Sequence, residues 1–309
     1  MIAELAIYFQ AYRTCELLTV SKSGTPIAWP MSGIYQPESD TFLTSTSIGY
    51  PQKAHNIRRT PEVALLFSDP TGSGLDAPPQ ILIQGTASCS DEIETSFAQH
   101  AALWRRLLTI QPSSRLYATN LLGWHPMDVF YMRLYITVTP TAVSTRPALE
   151  ATDKLRIPGS NGLPPGAARR MRPFRSAVLA AVDDGGRPTL IRVIPELREG
   201  GLFLPTPADQ RLATGPASLL LHRHNDNVGA MRGLVLTGSI DARGDGFRFR
   251  ADRLIDGQKR LDPVTATRVI RGLRSEARLY LGRRELARPR IPWDEFKAIK
   301  AELRAGTVS

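Results

Sequence analysis

The sequence predicts a mainly β fold with flanking helices, arranged as two tandem antiparallel β-barrels. Short runs rich in β-branched and apolar residues alternate with turns that contain Gly, Pro and Ser. A segment rich in Pro, Gly and Arg, from Thr145 to Pro173, interrupts this pattern, and a similar order of strands follows it. The 309 residues are also too many for one small core. We therefore expect two domains of the same kind.

The first half begins with an amphipathic helix, because Leu5, Ala6, Phe9 and Tyr12 share one face of residues Ala3–Arg13. We expect this helix to cover one end of the barrel. Strands are predicted at Cys15–Ser21, Ile27–Tyr35, Asp40–Thr46, Val63–Ser68, Ile81–Ser90 and Asp128–Val143. Further helices are predicted at Gln52–Arg59, which must end before Pro61, and at Asp91–Ile110.

The second half repeats two local motifs of the first. The turn Val20–Pro26 aligns with Val182–Pro188, and Gln84–Ala87 aligns with Leu236–Ser239. Strands are predicted at Ser176–Asp183, Thr189–Leu197, Leu202–Pro205, Ser218–Arg223 and Gly233–Ala242, and helices at Pro263–Leu281 and Trp293–Leu303. The repeat indicates a tandem duplication, with domains at 1–145 and 174–309 and a linker at 146–173.

The charge is unevenly divided along the chain. The net charge is +10, yet residues 1–150 carry 10 Lys and Arg against 12 Asp and Glu. The basic excess of the second half lacks interleaved aromatic residues, so a solvated surface is favoured and no nucleic-acid partner is expected. No apolar run is long enough to span a membrane, and the N-terminus does not resemble a signal peptide, so a cytoplasmic location is expected. Two cysteines, Cys15 and Cys89, are too few for a four-ligand metal site, and no metal is predicted.

The stretch Thr44–Pro61 is the best candidate for the functional site. A short strand ends in the hydroxyls of Thr44, Ser45 and Ser47, and a predicted helix beginning at Gln52 carries Lys53 in its first turn. Free N–H groups at a helix N-terminus bind anions, and the hydroxyls and the ammonium group would face the same small volume. The pattern therefore indicates a phosphate site. A serine-rich turn with a solvated lysine is the alternative.

Five motifs in order resemble the FMN-binding split-barrel superfamily, which includes pyridoxamine 5′-phosphate oxidase and deazaflavin-dependent reductases. They are a hairpin with Gly-Thr-Pro, a strand ending in Thr-Ser, a Lys-Ala-x-Asn-Ile helix, Thr-Pro-x-Val, and a strand with Gly-Thr-Ala. These motifs begin at Gly24, Thr44, Lys53, Thr60 and Gly85. The resemblance covers most of residues 10–145 and, more weakly, residues 174–256. It implies two tandem split barrels.

The resemblance also implies a cofactor and its site. Thr44, Ser45, Ser47, Gln52 and Lys53 would bind the flavin phosphate. The ring would lie along Trp29, Pro30, Met31 and Ser32. The implied function is an oxidoreductase that uses FMN, or alternatively deazaflavin F420, on a small organic substrate. No catalytic side chain is assigned, since the flavin itself carries the redox step.

Two departures from the family pattern affect this assignment. Trp29 stands where the oxidase has an arginine, and Pro30 removes a backbone donor that the ring could use. The chain also lacks a counterpart of the oxidase's basic C-terminal signature, which disfavours pyridoxamine phosphate as the substrate. A non-catalytic or haem-binding protein on the same barrel is the alternative function.

The second half offers fewer candidate groups. Leu204-Pro205-Thr206-Pro207 replaces the Thr-Ser-Thr-Ser run, and Arg211 aligns with Lys53. We therefore expect one ligand site per chain, with the second domain acting as a built-in partner in an intramolecular pseudo-dimer; a further homodimer is left open. Arg192 would reach towards the ligand of the first domain, or would be an ordinary surface arginine. His222 and His224 are interpreted as exposed histidines of an edge strand rather than a metal pair.

Overall fold

The computed structural model describes residues 2–118, 125–150, 153–159, 162–198, 201–229, 231–256 and 263–306. Two seven-stranded antiparallel sheets account for most of these residues. The first sheet contains β1 (Cys15–Val20), β2 (Pro26–Met31), β3 (Gly33–Gln36), β4 (Thr41–Ser47), β5 (Glu62–Phe67), β6 (Gln80–Cys89) and β7 (Arg133–Arg146). The second contains β8 (Ala177–Val182), β9 (Pro188–Val193), β10 (Glu196–Arg198), β11 (Gly201–Pro205), β12 (Gly215–Arg223), β13 (Arg232–Arg243) and β14 (Gly246–Asp256). The predicted fold class is confirmed.

The two sheets have the same topology. The strand order of the first sheet is β2-β1-β5-β6-β7-β4-β3, and that of the second is β9-β8-β12-β13-β14-β11-β10 when read from the matching edge. Each strand of one sheet therefore has a counterpart in the other. Within each sheet the two edge strands are nearly continuous in sequence, since only Ser32 separates β2 from β3. This bent strand joins the two edges of the sheet and closes it into a barrel.

Six α-helices flank the barrels in the described residues. They are α1 (Ala6–Ala11), α2 (Gln52–Arg59), α3 (Ala101–Ile110), α4 (Ala167–Met171), α5 (Pro263–Gly282) and α6 (Trp293–Ala305). Phe9 of α1 and the adjacent Tyr12 insert into the first core, as the apolar face predicts. The prediction of helix from Asp91 was wrong for its first ten residues, because Glu94 pairs instead with Arg133 at the start of β7.

Two further differences from the predicted elements concern the second half. Strand β14 was missed, because its sequence alternates arginine with apolar residues and has the composition of a solvated segment. The segment predicted as linker contains α4, and Leu155, Ile157 and Met171 are buried in the second core. These residues are therefore part of the packing of the second barrel. The predicted domain boundaries remain a prediction.

The barrels pack against each other through a small apolar interface. Leu18, Ala28, Ala64 and Leu66 of the first sheet form one cluster with residues of the second. The second sheet contributes Val178, Ala180, Leu190, Leu220 and Val235. All nine side chains are almost fully buried. Packing of the two barrels therefore removes apolar surface from water in addition to the surface that each barrel buries in its own core.

A β-bulge recurs at equivalent positions in the two sheets, and each bulge has a glycine. The register shifts at Gln84/Gly85 and at Thr237/Gly238, which makes Gly85 the counterpart of Gly238. A Cβ at either glycine would collide with a backbone carbonyl oxygen of the neighbouring strand. The sequence alignment had placed Thr237 opposite Gly85, one residue out of register.

We expect Gly238→Ala to lower the free energy of unfolding by about 1–3 kcal/mol, because the methyl group must displace the Arg250 backbone. Denaturant titration would measure the change. Gly272→Ala is the matched control, since a Cβ at Gly272 in α5 meets nothing within 4 Å. An alanine there should stabilise the helix slightly. Equal effects at both positions would contradict the assignment of Gly238 to a close backbone contact.

Candidate functional site

The candidate site is built on the loop that follows β4 and on the first turn of α2. The helix spans the predicted residues, and its N-cap, Pro51, provides no side-chain hydrogen bond. The first intrahelical bond runs from the His55 N–H to the Pro51 carbonyl. The N–H groups of the first turn therefore have no helical acceptor, and they point out of the helix end where an anion is stabilised.

Lys53 lies in this first turn and is partly buried. Within the described residues, no hydrogen bond or ion pair is recorded for its ammonium group, and its nearest described aromatic partner is Trp29, whose ring centroid is 6.0 Å from Nζ. Burial, assisted by the nearby charge of Arg133, lowers the pKa of Lys53 to about 8. A cation without an anion in a desolvated position is unfavourable, and a bound anion would relieve this cost.

Arg133, at the start of β7, is a second buried cation near Lys53. It is 7% exposed, and it donates to Ser45 Oγ at 3.0 Å, to the Ser45 carbonyl at 2.9 Å and to the Phe130 carbonyl at 3.1 Å. No recorded contact pairs it with a carboxylate in the described ranges. Burial lowers the pKa of Arg133 to about 10. Two cations with no recorded counter-ion make this region electropositive, which suits an anionic ligand.

The hydroxyls of Thr44, Ser45 and Ser47 are all buried, and they differ in whether their protons already have an acceptor in the protein. Thr44 donates to the Ser32 carbonyl at 2.7 Å, and Ser47 donates to the Val129 carbonyl. Both hydroxyl protons are therefore committed to the chain. Ser45 Oγ accepts from Arg133, so its own proton has no recorded acceptor in the described residues. Gln52 is exposed and donates to Asn56 at 2.8 Å.

The four residues predicted along the ring lie at the end of β2 and in the bend before β3. Trp29, Pro30, Met31 and Ser32 are all half-buried. Trp29 packs at the edge of the apolar cluster between the barrels, and Ser32 donates to the Arg13 carbonyl at 3.0 Å. The structure thus brings Trp29 next to Lys53, and Ser32 next to Thr44, at one end of the first barrel.

A comparison with protein families finds a match within the first half of the chain. Residues 1–131 match the family model described as pyridoxamine 5′-phosphate oxidase, and the match includes every residue of the candidate site except Arg133. Over these residues the first barrel is similar to that family. No curated protein sequence matches the chain.

Several solved structures are similar to the chain. A conserved hypothetical protein from Mycobacterium tuberculosis has 21% identity and a TM-score of 0.34, with 48% of this chain and 84% of that chain covered. An F420 reductase has 25% identity and a TM-score of 0.29, with 42% and 88% covered. The haem storage protein from Vibrio cholerae has 17% identity and a TM-score of 0.32, with 48% and 96% covered.

The second barrel lacks the parts that make up the site of the first split barrel. The strand registers place Leu204 and Pro205 at the positions of Thr44 and Ser45, and Thr206 and Pro207 follow them as the sequence alignment predicted. Residues 206–214, which follow β11, contain no helix, whereas α2 follows β4. Arg211, which the sequence alignment placed opposite Lys53, is exposed and lies in this helix-free segment.

The five histidines are all described, and the interpretation of two of them was wrong. His222 and His224 are buried, 4% and 9% exposed, and do not form an exposed edge pair. They join a polar network between the barrels that the sequence did not reveal. His100 pairs with Glu94 at 2.7 Å, and His55 stacks on Tyr280 of α5. In the described part of the chain, no group of His, Cys, Asp or Glu has a geometry suited to a metal ion.

The two C-terminal helices pack against the split barrel of the first half. A Cβ on Gly49, in the loop before α2, would meet the Leu273 side chain of α5 at 2.9 Å. Ile48 and Ala54 are buried in a cluster with Leu273, Ala277 and Tyr280. Helix α5 thus supports the loop that leads into α2, the helix that carries Lys53.

None of the helices in the described ranges combines the length and hydropathy that a membrane span requires.

Proposed function

We propose that the first barrel binds a phosphorylated flavin, FMN or alternatively deazaflavin F420, and uses it to oxidise or reduce a small organic substrate. The observation that carries this proposal is the environment of Lys53. Its ammonium group sits at a helix N-terminus beside the buried Arg133, and no carboxylate is recorded near either cation in the described residues. The match of residues 1–131 to a family named for a phosphate-ester oxidase supports the same assignment.

The residues present fit a phosphate group. Lys53 and the open N–H groups of the first turn of α2 would hold the phosphate oxygens, and the Ser45 hydroxyl has a proton that it can donate. Arg133 would act through its charge rather than by direct contact, since its donors already bind Ser45 and Phe130. Trp29 would cover one side of the ligand near Lys53.

When bound, a flavin supplies the redox chemistry, and the protein supplies orientation and electrostatics. The cations near the phosphate fix the ligand's position at the barrel end. The second barrel, packed against β2 and β5, would exclude water from the side of the site that faces it, as the partner does in a pseudo-dimer. This assigns a binding role to Trp29, Ser45 and Lys53, and no side chain is given a catalytic role.

The visible spectrum of the purified protein, followed by mass identification of the released ligand, tests the proposal. We expect the absorption of a flavin or deazaflavin at about one equivalent per chain, because the second barrel has neither the helix nor the lysine of the first. Reconstitution with FMN should give the same stoichiometry. A Soret band would identify haem instead, and two equivalents per chain would show that the second barrel also binds. Failure to bind any of these ligands would overturn the proposal.

A further inference from the structure

A network of charged and polar side chains is buried between the two barrels. Its residues lie on or next to β1, β5, β8, β9 and β12, and Glu16 of β1 pairs with Pro30 of β2. The first barrel contributes Thr14, Glu16, Ser68 and Asp69, and the second contributes Ser176, Arg192, His222 and His224. Apart from Asp69, whose side chain is 12% exposed, each of these residues is at most 9% exposed. Buried charges of this kind are retained only when they are paired.

Glu16 is at the centre of the network. Its Oε1 atom lies 2.8 Å from Arg192 Nη2 and 2.6 Å from His222 Nε2, and its Oε2 accepts from Ser68 at 2.9 Å. Arg192 also donates to Ser68 at 2.9 Å and to Ser176 at 2.9 Å. Both carboxylate oxygens of Glu16 are therefore satisfied, and its two partners at Oε1 come from β9 and β12.

The hydrogen-bond geometry specifies the protonation of His222. Nε2 lies 2.6 Å from Glu16 Oε1 and 3.2 Å from Arg192 Nη2, which contacts the same oxygen. The shorter contact is with a carboxylate oxygen that can only accept, so we assign a proton to Nε2. The other ring nitrogen, Nδ1, is buried without a hydrogen-bond partner and lies 3.9 Å from Asp69 Oδ2. A bare Nδ1 would leave a buried acceptor facing a second carboxylate. A proton on Nδ1 would instead face that carboxylate with favourable charge, at a distance longer than a hydrogen bond.

The charge balance leads to the same conclusion. The charged or chargeable groups recorded as interacting here are Glu16 and Cys15 on β1, Tyr8 and Tyr12 before it, Asp69 after β5, Arg192 on β9, and His222 and His224 at the end of β12. Burial raises the pKa of the Cys15 thiol, so it stays neutral. Burial raises the pKa of Tyr12, so this hydroxyl stays neutral. Two carboxylates then face one guanidinium group. One positively charged imidazole completes the balance, and His222, which contacts one carboxylate and faces the other, is the better placed.

We propose that His222 is a buried imidazolium and that the network of Glu16, Asp69, Arg192 and His222 is a proton-dependent clamp between the barrels. A charged His222 stabilises the packed barrels at low pH, and this contribution is lost as the pH rises and the imidazole loses its proton. At low pH, the clamp weakens when the Asp69 carboxylate takes up a proton. Burial raises its pKa, but Arg192, His222 and His224 lower it to about 2, so its contribution persists until strongly acidic pH.

Nitrogen NMR of protein labelled at histidine tests the protonation directly, because an imidazolium and the two neutral tautomers give distinct ring signals. We expect both nitrogens of His222 to be protonated at about pH 7, where an ordinary histidine is mostly neutral. Five histidines give few signals, and His222→Gln assigns the relevant one. Glu16→Gln should return His222 to a neutral tautomer. A neutral His222 in the wild-type protein would overturn the proposal.

Thermal melting as a function of pH tests the clamp. The melting temperature of the wild-type protein should exceed that of His222→Gln by several degrees at about pH 6, and the difference should shrink towards about pH 9. His125→Gln is the control, since His125 stacks on Trp293 and has no recorded contact with a carboxylate among the described residues. Parallel curves for the wild-type and His222→Gln proteins would contradict a proton-dependent clamp.

Discussion

Glu16→Ala should lower the free energy of unfolding by about 3–5 kcal/mol, the range observed when one partner of a buried ion pair is removed. The carboxylate is fully buried, and its loss leaves Arg192 and His222 as two adjacent cations without a counter-charge. Denaturant titration would measure the change. Arg105→Ala is the control, because the Arg105–Glu302 pair is about half exposed and should contribute less than about 1 kcal/mol.

The pairing of the strands suggests a double variant that distinguishes lost charge from lost packing. Glu16 lies opposite Pro30 in the first sheet, and the equivalent pair in the second sheet is Val178 opposite Arg192. Each barrel therefore already contains an apolar residue at the position where the other is charged. Glu16→Val combined with Arg192→Leu should recover a large part of the stability lost in Glu16→Ala. If the double variant is no more stable than Glu16→Ala, the loss is one of packing.

Lys53→Ala should weaken FMN binding by about 1.5–3 kcal/mol, or roughly 10-fold to 150-fold in Kd, without unfolding the protein. The variant removes a charge-assisted hydrogen bond to the phosphate and also a partly buried cation for which no counter-ion is recorded in the described residues. Titration of the cofactor would measure the affinity, and thermal melting would report the fold. Lys22→Ala is the control, because Lys22 is the other lysine of the first 150 residues and is exposed in the β1–β2 turn. Equal affinities for the wild-type and Lys53→Ala proteins would make Lys53 a structural residue.

The pH dependence of binding gives an independent check on Lys53. In the protein without ligand, burial lowers the pKa of Lys53 to about 8, whereas a bound phosphate favours the charged ammonium. Above about pH 7, where the phosphate is a dianion, the affinity should therefore fall as the pH rises through this value. The same titration of Lys53→Ala should lack this decline. A decline that persists in the variant would have to come from another group.

The positions of most strands along the chain were predictable from local sequence signals. The turn Val20–Pro26 and its counterpart Val182–Pro188 contain glycines at φ +78° and +80°, and these turns fix the first hairpin of each sheet. Gln52–Arg59 was predicted as a helix because Pro51 and Pro61 bracket it. The segment Asp91–His100 has equally helical composition, yet tertiary partners determine its structure. Glu94 pairs with β7, and Glu295 of α6 accepts the Phe97 and Ala98 N–H groups at 2.7 and 2.9 Å.

The candidate site was predictable only where its residues are close in sequence. Lys53 and the strand-end hydroxyls lie within ten residues of one another, so one pattern contained them. Arg133 reaches the same region from β7, and no local signal distinguishes it from the other arginines. Glu16 and His222 are separated by 206 residues, and they meet only because the second barrel packs on the first. His222 and His224 were predicted at the surface from the sequence, and they are buried, like Arg192, because the two barrels pack together.

The packing of α5 and α6 on the first barrel affects the order in which the protein can be completed during synthesis. Glu295 binds N–H groups nearly 200 residues earlier, and Leu273 packs on the loop that contains Gly49. When only the first barrel has emerged from the ribosome, the helices that support the loop before α2 have therefore not yet been synthesised. Contacts of such long range are slow to form. We expect a nascent chain ending near residue 260 to have its strands paired while this loop is still incompletely packed.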